Sequence, residues 1–142
     1  MTIRKNEIYT LTITDIGTHG EGIGKIDGYT LFVKNTLPGE EVKVLVVKAN
    51  KNYGYGKALE IIKPSPSRVE PLCPAAPRCG GCTLQHMDYK AQLLQKQNKV
   101  KQNIMRIGGF DNVDVEPTIG MDDPWNYRNK AQYPVSCDNK GI

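Results

Sequence analysis

Glu41-Val42-Lys43-Val44-Leu45-Val46-Val47 alternates apolar and charged side chains at its start and is rich in β-branched residues. That is the pattern of a strand with one buried face. Asn50-Lys51-Asn52 turns the chain, and Tyr53 to Ile62 returns it, with Gly54 and Gly56 as bulges or points of close approach. Toward the N-terminus, Leu37-Pro38-Gly39-Glu40 is a turn signal. Tyr29-Thr30-Leu31-Phe32-Val33 is a short strand entered through the turn pair Asp27-Gly28. Gly17, Gly20, Gly22 and Gly24 crowd a flexible turn region, and Ile8-Tyr9-Thr10-Leu11-Thr12-Ile13-Thr14 supplies the first strand. Five short strands in about sixty residues, split by glycine-rich turns, predict a small OB-like barrel, an architecture that closes its own sheet edges.

Beyond the barrel the composition changes. Lys63-Pro64-Ser65-Pro66-Ser67 reads as a linker, because two prolines prevent regular pairing. Pro71, Pro74 and Pro77 stiffen the cysteine-rich loop that follows. From Asp88 to Ile107, Leu93, Leu94, Gln97, Val100, Ile104 and Ile107 recur at spacings of three and four, the period of an amphipathic helix. Asp88 is the expected N-cap and Gly108-Gly109 the expected stop. Val113-Asp114-Val115-Glu116 reads as a short strand, and Tyr127 to Val135 as the start of another. The expected organisation is a β-barrel at 1–63, a Pro-rich linker and cysteine loop at 64–87, an amphipathic helix at 88–110, and the truncated start of a central domain at 111–142. The fold class is therefore mainly β at the N-terminal end, then one long α-helix and the beginning of an α+β unit.

The chain has 142 residues, 39% hydrophobic and 24% charged, as in a globular protein rather than a disordered one. No apolar run approaches the ~20 residues of a membrane helix, and Met1-Thr2-Ile3-Arg4-Lys5-Asn6 leads into no signal-peptide core. A cytoplasmic, monomeric protein without a membrane partner is expected. The net charge of +4 permits a nucleic-acid partner without demanding one. Its distribution says more. From His86 to Arg106, Lys90, Lys96, Lys99, Lys101 and Arg106 face Asp88 alone, whereas Asp111, Asp114, Glu116, Asp122 and Asp123 follow with no basic residue before Arg128.

Three of the four cysteines fall within ten residues, as Cys73-x5-Cys79-x2-Cys82, with Gly80-Gly81 in the inner gap. Clustered cysteines in a reducing compartment are more often metal ligands than disulfides. Glycines let two neighbouring thiolates turn toward one centre. Spacing alone leaves three readings open: an iron–sulfur cluster, a structural zinc site of Cys73, Cys79, Cys82 and His86, and unliganded thiols. Cys137 stands apart and reads as a strand-end residue, since no base or pocket accompanies it.

A small barrel with basic and aromatic surface residues can bind RNA by stacking and phosphate contact. Lys25, Lys34, Lys51, Tyr53, Tyr55 and Lys57 are the candidates, and Tyr53-Gly54-Tyr55-Gly56-Lys57 places two aromatics on one strand face beside a cation. The competing reading packs both tyrosines in or over the barrel. Residues 1–63 carry nine basic and seven acidic side chains, so the expected binding is weak and falls with salt. Gly20-x-Gly22-x-Gly24 is not followed by a helix and is no dinucleotide loop.

The cysteine segment with Gln85-His86, Tyr89, Gln92-Leu93, Lys96 and Arg106-Ile107-Gly108-Gly109-Phe110 closely resembles the iron–sulfur segment of bacterial 23S ribosomal RNA uracil-5-methyltransferases. The barrel, with Gly20-x-Gly22-x-Gly24, Leu31-Phe32-Val33, Leu37-Pro38-Gly39-Glu40 and Pro64-Ser65-Pro66-Ser67-Arg68, resembles the TRAM domain that opens those enzymes. Tyr127 to Val135 resembles the start of their central domain, where Arg128 and Lys130 match positions near bound RNA. The resemblance covers nearly the whole chain. It implies large-subunit ribosomal RNA as partner and a [4Fe–4S] cluster in which Cys73, Cys79 and Cys82 match three of four ligands, the fourth lying beyond this chain. It also implies an S-adenosylmethionine-dependent catalytic domain in the full-length parent. No segment here matches that domain, so the chain by itself is expected to be inactive. A free-standing RNA-binding module with a zinc site is the alternative.

Overall fold

The computed structural model describes residues 3–130 and 132. Five strands, β1 (Ile8–Ile16), β2 (Gly22–Ile26), β3 (Tyr29–Lys34), β4 (Glu41–Ala49) and β5 (Tyr53–Lys63), close into a barrel in the order β1-β2-β3-β5-β4. All neighbouring pairs are antiparallel except β3 and β5, which run parallel, and β4 returns to β1 to remove the last edge. Among the described residues two helices follow, the one-turn α1 (Ala76–Cys79) and the long α2 (Tyr89–Arg106).

Period-two alternation builds the core. Leu11 and Ile13 of β1, Leu31 and Val33 of β3, and Val42, Val44 and Val46 of β4 point inward and are buried, and Ile3 ahead of β1 joins their cluster. The intervening residues point outward. Asp27 and Gly28 both have positive φ, 47° and 84°, which gives the two-residue turn joining β2 to β3. On β5 the inward positions beside the tyrosines are Gly54 and Gly56. A Cβ at Gly56 would run into the Val44 side chain, so the inward side of β5 is made of backbone alone at its narrowest points.

α2 starts as expected. The Asp88 carboxylate accepts a hydrogen bond from the Ala91 N–H at 3.2 Å. The helix ends at Arg106, just before the glycine pair. Its apolar stripe is not buried: Leu94 is 56% and Val100 48% exposed. One side abuts the barrel, where Ala91, Leu94, Gln95 and Asn98 line a groove with Leu37, Pro38 and Met87. The other side carries the chain that follows. Gln97 donates to the Val115 carbonyl at 2.7 Å, Thr118 donates to the Leu93 carbonyl at 3.0 Å, and the Tyr89 hydroxyl accepts from the Met121 N–H at 3.0 Å.

That arrangement corrects one expectation. Val113 to Glu116 forms no strand. A β-prone tetrapeptide needs a ladder partner, and here the Gln97 side chain on α2 takes the Val115 carbonyl instead. The strand expected from Tyr127 onward has no strand structure at 127–130, and Cys137 lies outside the described residues. Among the described residues, no helix is long and apolar enough to cross a membrane.

Candidate nucleic-acid interface

The barrel register assembles a surface from side chains distant in sequence. Thr30 pairs with Tyr53, Phe32 with Tyr55, and Lys34 with Lys57 across the parallel β3–β5 ladder. On the next strand over, Lys25 pairs with Thr30 and Ile23 with Phe32. On the far side, Tyr55 lies opposite Lys48. Paired residues share a face of the sheet. The outer wall therefore has three rows: Lys25, Thr30 and Tyr53; then Ile23, Phe32, Tyr55 and Lys48; then Lys34 and Lys57.

The three rings in these rows touch one another. Phe32 and Tyr53 meet edge-to-face with centroids 6.0 Å apart, Tyr53 and Tyr55 do the same at 5.9 Å, and Phe32 and Tyr55 are tilted by 34° at 5.7 Å. These are the favoured arrangements for aromatic quadrupoles. Both tyrosines are 42% exposed, and the rings line a shallow depression of about 350 Å³ together with Thr30. The reading in which the tyrosines pack inside the barrel is thereby excluded, since Gly54 and Gly56 hold the inward positions. Tyr29 steadies the strand from its start. Its hydroxyl lies 2.6 Å from the Tyr53 carbonyl and 2.9 Å from the Asn50 carbonyl, which ties down the turn that carries Lys51.

Lys25, Lys34, Lys57 and Lys51 are all exposed, the first three on the ring-bearing wall and Lys51 in the turn at its edge. Arg128 and Lys130 are exposed in the segment after α2, with the Arg128 guanidinium 5.9 Å from the Tyr127 ring centroid. They belong to no strand of the barrel. Phe32 and Lys48 join the surface without having been singled out in the sequence. The signal for Phe32 was present: Leu31 and Val33 are inward, so period two puts Phe32 on the same face as Lys34. Lys48 becomes visible only through the β4–β5 register, which slips between Val46 and Lys48.

Residues 4–59 match the TRAM domain. Relatives of the whole chain include two proteins described as uncharacterized RNA methyltransferases. One, from Clostridium tetani, is 54% identical over 94% of this chain and 29% of its own length. The other, from Halalkalibacterium halodurans, is 52% identical over 99% of this chain and 31% of its own length. The chain thus spans about 30% of the length of the curated relatives it matches. Among solved structures, a tRNA (uracil-54, C5)-methyltransferase of Pyrococcus abyssi is 31% identical over 75% of this chain and 23% of its own, at a TM-score of 0.43.

The cysteine loop hangs from the TRAM barrel by a buried polar anchor. Glu40, the last residue of the Leu-Pro-Gly-Glu turn, is fully buried. Its carboxylate accepts from the Leu37 N–H at 2.9 Å, from the Ser65 N–H at 3.2 Å, and from both Nε and a terminal nitrogen of Arg68. Burial pushes the Glu40 carboxyl up, but the Arg68 guanidinium and the two backbone donors outweigh it and hold the group below its ordinary range. Arg68 also donates to the Asn35 carbonyl at 2.8 Å, and it pairs with Met87 in a short antiparallel bridge. His86 is buried beside this pair. Burial holds its imidazole below the usual histidine range, and the nearby Arg68 charge adds to that effect.

Cys73, Cys79 and Cys82 are exposed free thiols on the loop between these anchors. Gln85 accepts from the Cys73 N–H at 3.3 Å and closes the loop at its base. A Cβ on Gly81 would sit 3.3 Å from the Cys79 sulfur, so the glycine leaves that sulfur room beside the backbone. Soft thiolate donors in one exposed loop suit iron or zinc in kind. Among the described residues, no three His, Cys, Asp or Glu side chains are grouped to hold a metal ion. The set of Cys73, Cys79, Cys82 and His86 is not assembled: the thiols are exposed, whereas His86 faces the Glu40–Arg68 pair.

Proposed function

We propose that this chain is the RNA-gripping portion of an S-adenosylmethionine-dependent RNA methyltransferase that acts at uracil C5, with ribosomal RNA of the large subunit as substrate. The observation that carries the reading is the wall of the TRAM barrel on which Phe32, Tyr53 and Tyr55 are grouped, with Lys25 in the row of Tyr53 and Lys34 and Lys57 in the row beyond Phe32 and Tyr55. Rings offer stacking faces to bases and lysines offer charge to phosphates, which is how such a surface holds nucleic acid. Relatives described as RNA methyltransferases support the same reading.

In this account the barrel binds and orients RNA, and methyl transfer takes place in a part of the parent protein outside this chain, in a monomer working in the cytoplasm. Cys73, Cys79 and Cys82 supply three thiolates to a [4Fe–4S] cluster, with the fourth ligand outside the chain. Such a cluster would brace the loop that Gln85 and the Glu40–Arg68 pair anchor. Its support is the donor chemistry, the exposure of the three thiols and the space that Gly81 leaves.

Photo-crosslinking tests the reading. RNA carrying 4-thiouridine, irradiated with the chain, should give adducts on the peptides that hold Phe32 and Tyr53 to Lys57. Adducts confined to other surfaces would overturn the assignment of the barrel wall.

A further inference from the structure

Stacking needs a base with a free face. In an A-form duplex each base face is covered by its neighbours, the major groove is too deep and narrow for side chains, and a protein meets mainly phosphates and 2′-hydroxyls. A surface built only for duplex RNA would need cations and hydrogen-bond donors, with no use for exposed rings.

The TRAM wall is built the other way. Its centre is three rings in mutual contact, at 5.7 to 6.0 Å between centroids, two of them edge-to-face. Two of the three contacts are edge-to-face, so the rings do not form one closed stack, and Tyr53 and Tyr55 each leave 42% of their surface open. The rings are also held in place. Tyr29 clamps the Tyr53 carbonyl, and the inward glycines at 54 and 56 leave β5 flush against the core. Lys48 stands beside Tyr55 in the middle row, and the other cations stand in the end rows. Lys25 lies in the row of Thr30, and Lys34 is four residues further along the same strand as Thr30, a rise of roughly 13 Å. A strand of RNA laid across the rings would keep its phosphates near those ends.

We infer that the Phe32–Tyr53–Tyr55 cluster takes unstacked bases, so that the chain selects single-stranded over double-stranded RNA. This rests on the reading of the barrel as an RNA-binding surface and adds the class of RNA it accepts. The selection comes from the rings, while the lysines serve both forms alike.

The experiment compares the affinity of the whole chain for a twelve-nucleotide RNA without self-complementarity and for the same strand annealed to its complement, at one salt concentration. The single strand should bind about tenfold tighter or more. The Tyr53→Ala/Tyr55→Ala pair should erase the difference by weakening single-strand binding alone. Tyr53→Phe/Tyr55→Phe, which keeps both rings, should retain it and controls for folding. Equal affinity for the two forms, or an alanine pair that still prefers the single strand, overturns base stacking and leaves RNA binding standing. Failure to bind either RNA overturns the RNA-binding reading together with the inference.

Discussion

Arg68 reaches back over 28 residues to grip Glu40, a fully buried carboxylate, with two of its guanidinium nitrogens. The contact turns the proline-rich stretch after β5 into a strap. Ser65 donates its N–H to the same carboxylate, and Arg68 pairs with Met87 just ahead of α2, so the strap and the start of the helix are tied to one buried charge.

Arg68→Ala would leave the Glu40 carboxylate buried with two backbone donors and no countercharge. Removing one partner of such a pair costs about 3–5 kcal/mol. Chemical denaturation should show a loss of that order, and Arg68→Lys should recover only part of it, because an ammonium cannot make the forked contact and reach the Asn35 carbonyl as well. A variant as stable as the parent would mean that the pair does not anchor the strap.

Acid should destabilise the fold in two stages. His86 has its folded value lowered from the ordinary 6.5, so the unfolded chain binds that proton more readily. Stability falls as the pH drops through 6.5 toward the folded value. Glu40 is lowered from 4.5, so its contribution is complete above 4.5 and is lost as the pH falls through its lower folded value. Melting temperature measured from pH 8 to pH 3 should decline in both ranges, and His86→Gln should flatten the upper one. A melting temperature that is constant between pH 7 and 5 would contradict the burial of a neutral His86.

Gly56→Ala forces a methyl group against the Val44 side chain in the barrel core. Overpacking of this kind costs about 1–3 kcal/mol. Tyr55→Ala, one residue away but on the outer wall, should cost about 1 kcal/mol or less. The ratio of the two effects in urea denaturation reads the inward–outward alternation of β5 directly. Equal losses would mean that the strand register is wrong.

Anaerobic reconstitution with iron and sulfide should give brown protein, and Cys79→Ser should lower the bound iron while His86→Gln leaves it unchanged. Colourless protein holding one zinc ion that His86→Gln releases would reverse the choice of metal.

Much of this was legible in the residues. The barrel follows from alternation and turn pairs, whereas Tyr53-Gly54-Tyr55-Gly56 leaves open which residues face inward, and only the closed barrel assigns that side to the glycines. The cap at Asp88 was equally plain, since its carboxylate serves a donor three residues on. Long-range pairing was not legible. Leu37-Pro38-Gly39-Glu40 reads locally as a turn, and nothing near it tells that Glu40 is the buried seat of an arginine 28 residues later. Residues 113–116 were misread for the complementary reason. Their β propensity is local, but a strand exists only where a partner is offered, and α2 lies there instead.

The central claim is that the lysines framing the ring cluster hold RNA phosphates, and the salt dependence of affinity tests it most directly. Each phosphate contact to a single strand contributes about −0.7 to the slope of log K against log salt. The parent chain should weaken steeply as salt rises, and Lys25→Ala/Lys34→Ala/Lys57→Ala should bind more weakly with a slope shallower by about 2. A triple variant with the affinity and slope of the parent would contradict the claim, and RNA would then have to be held elsewhere on the molecule.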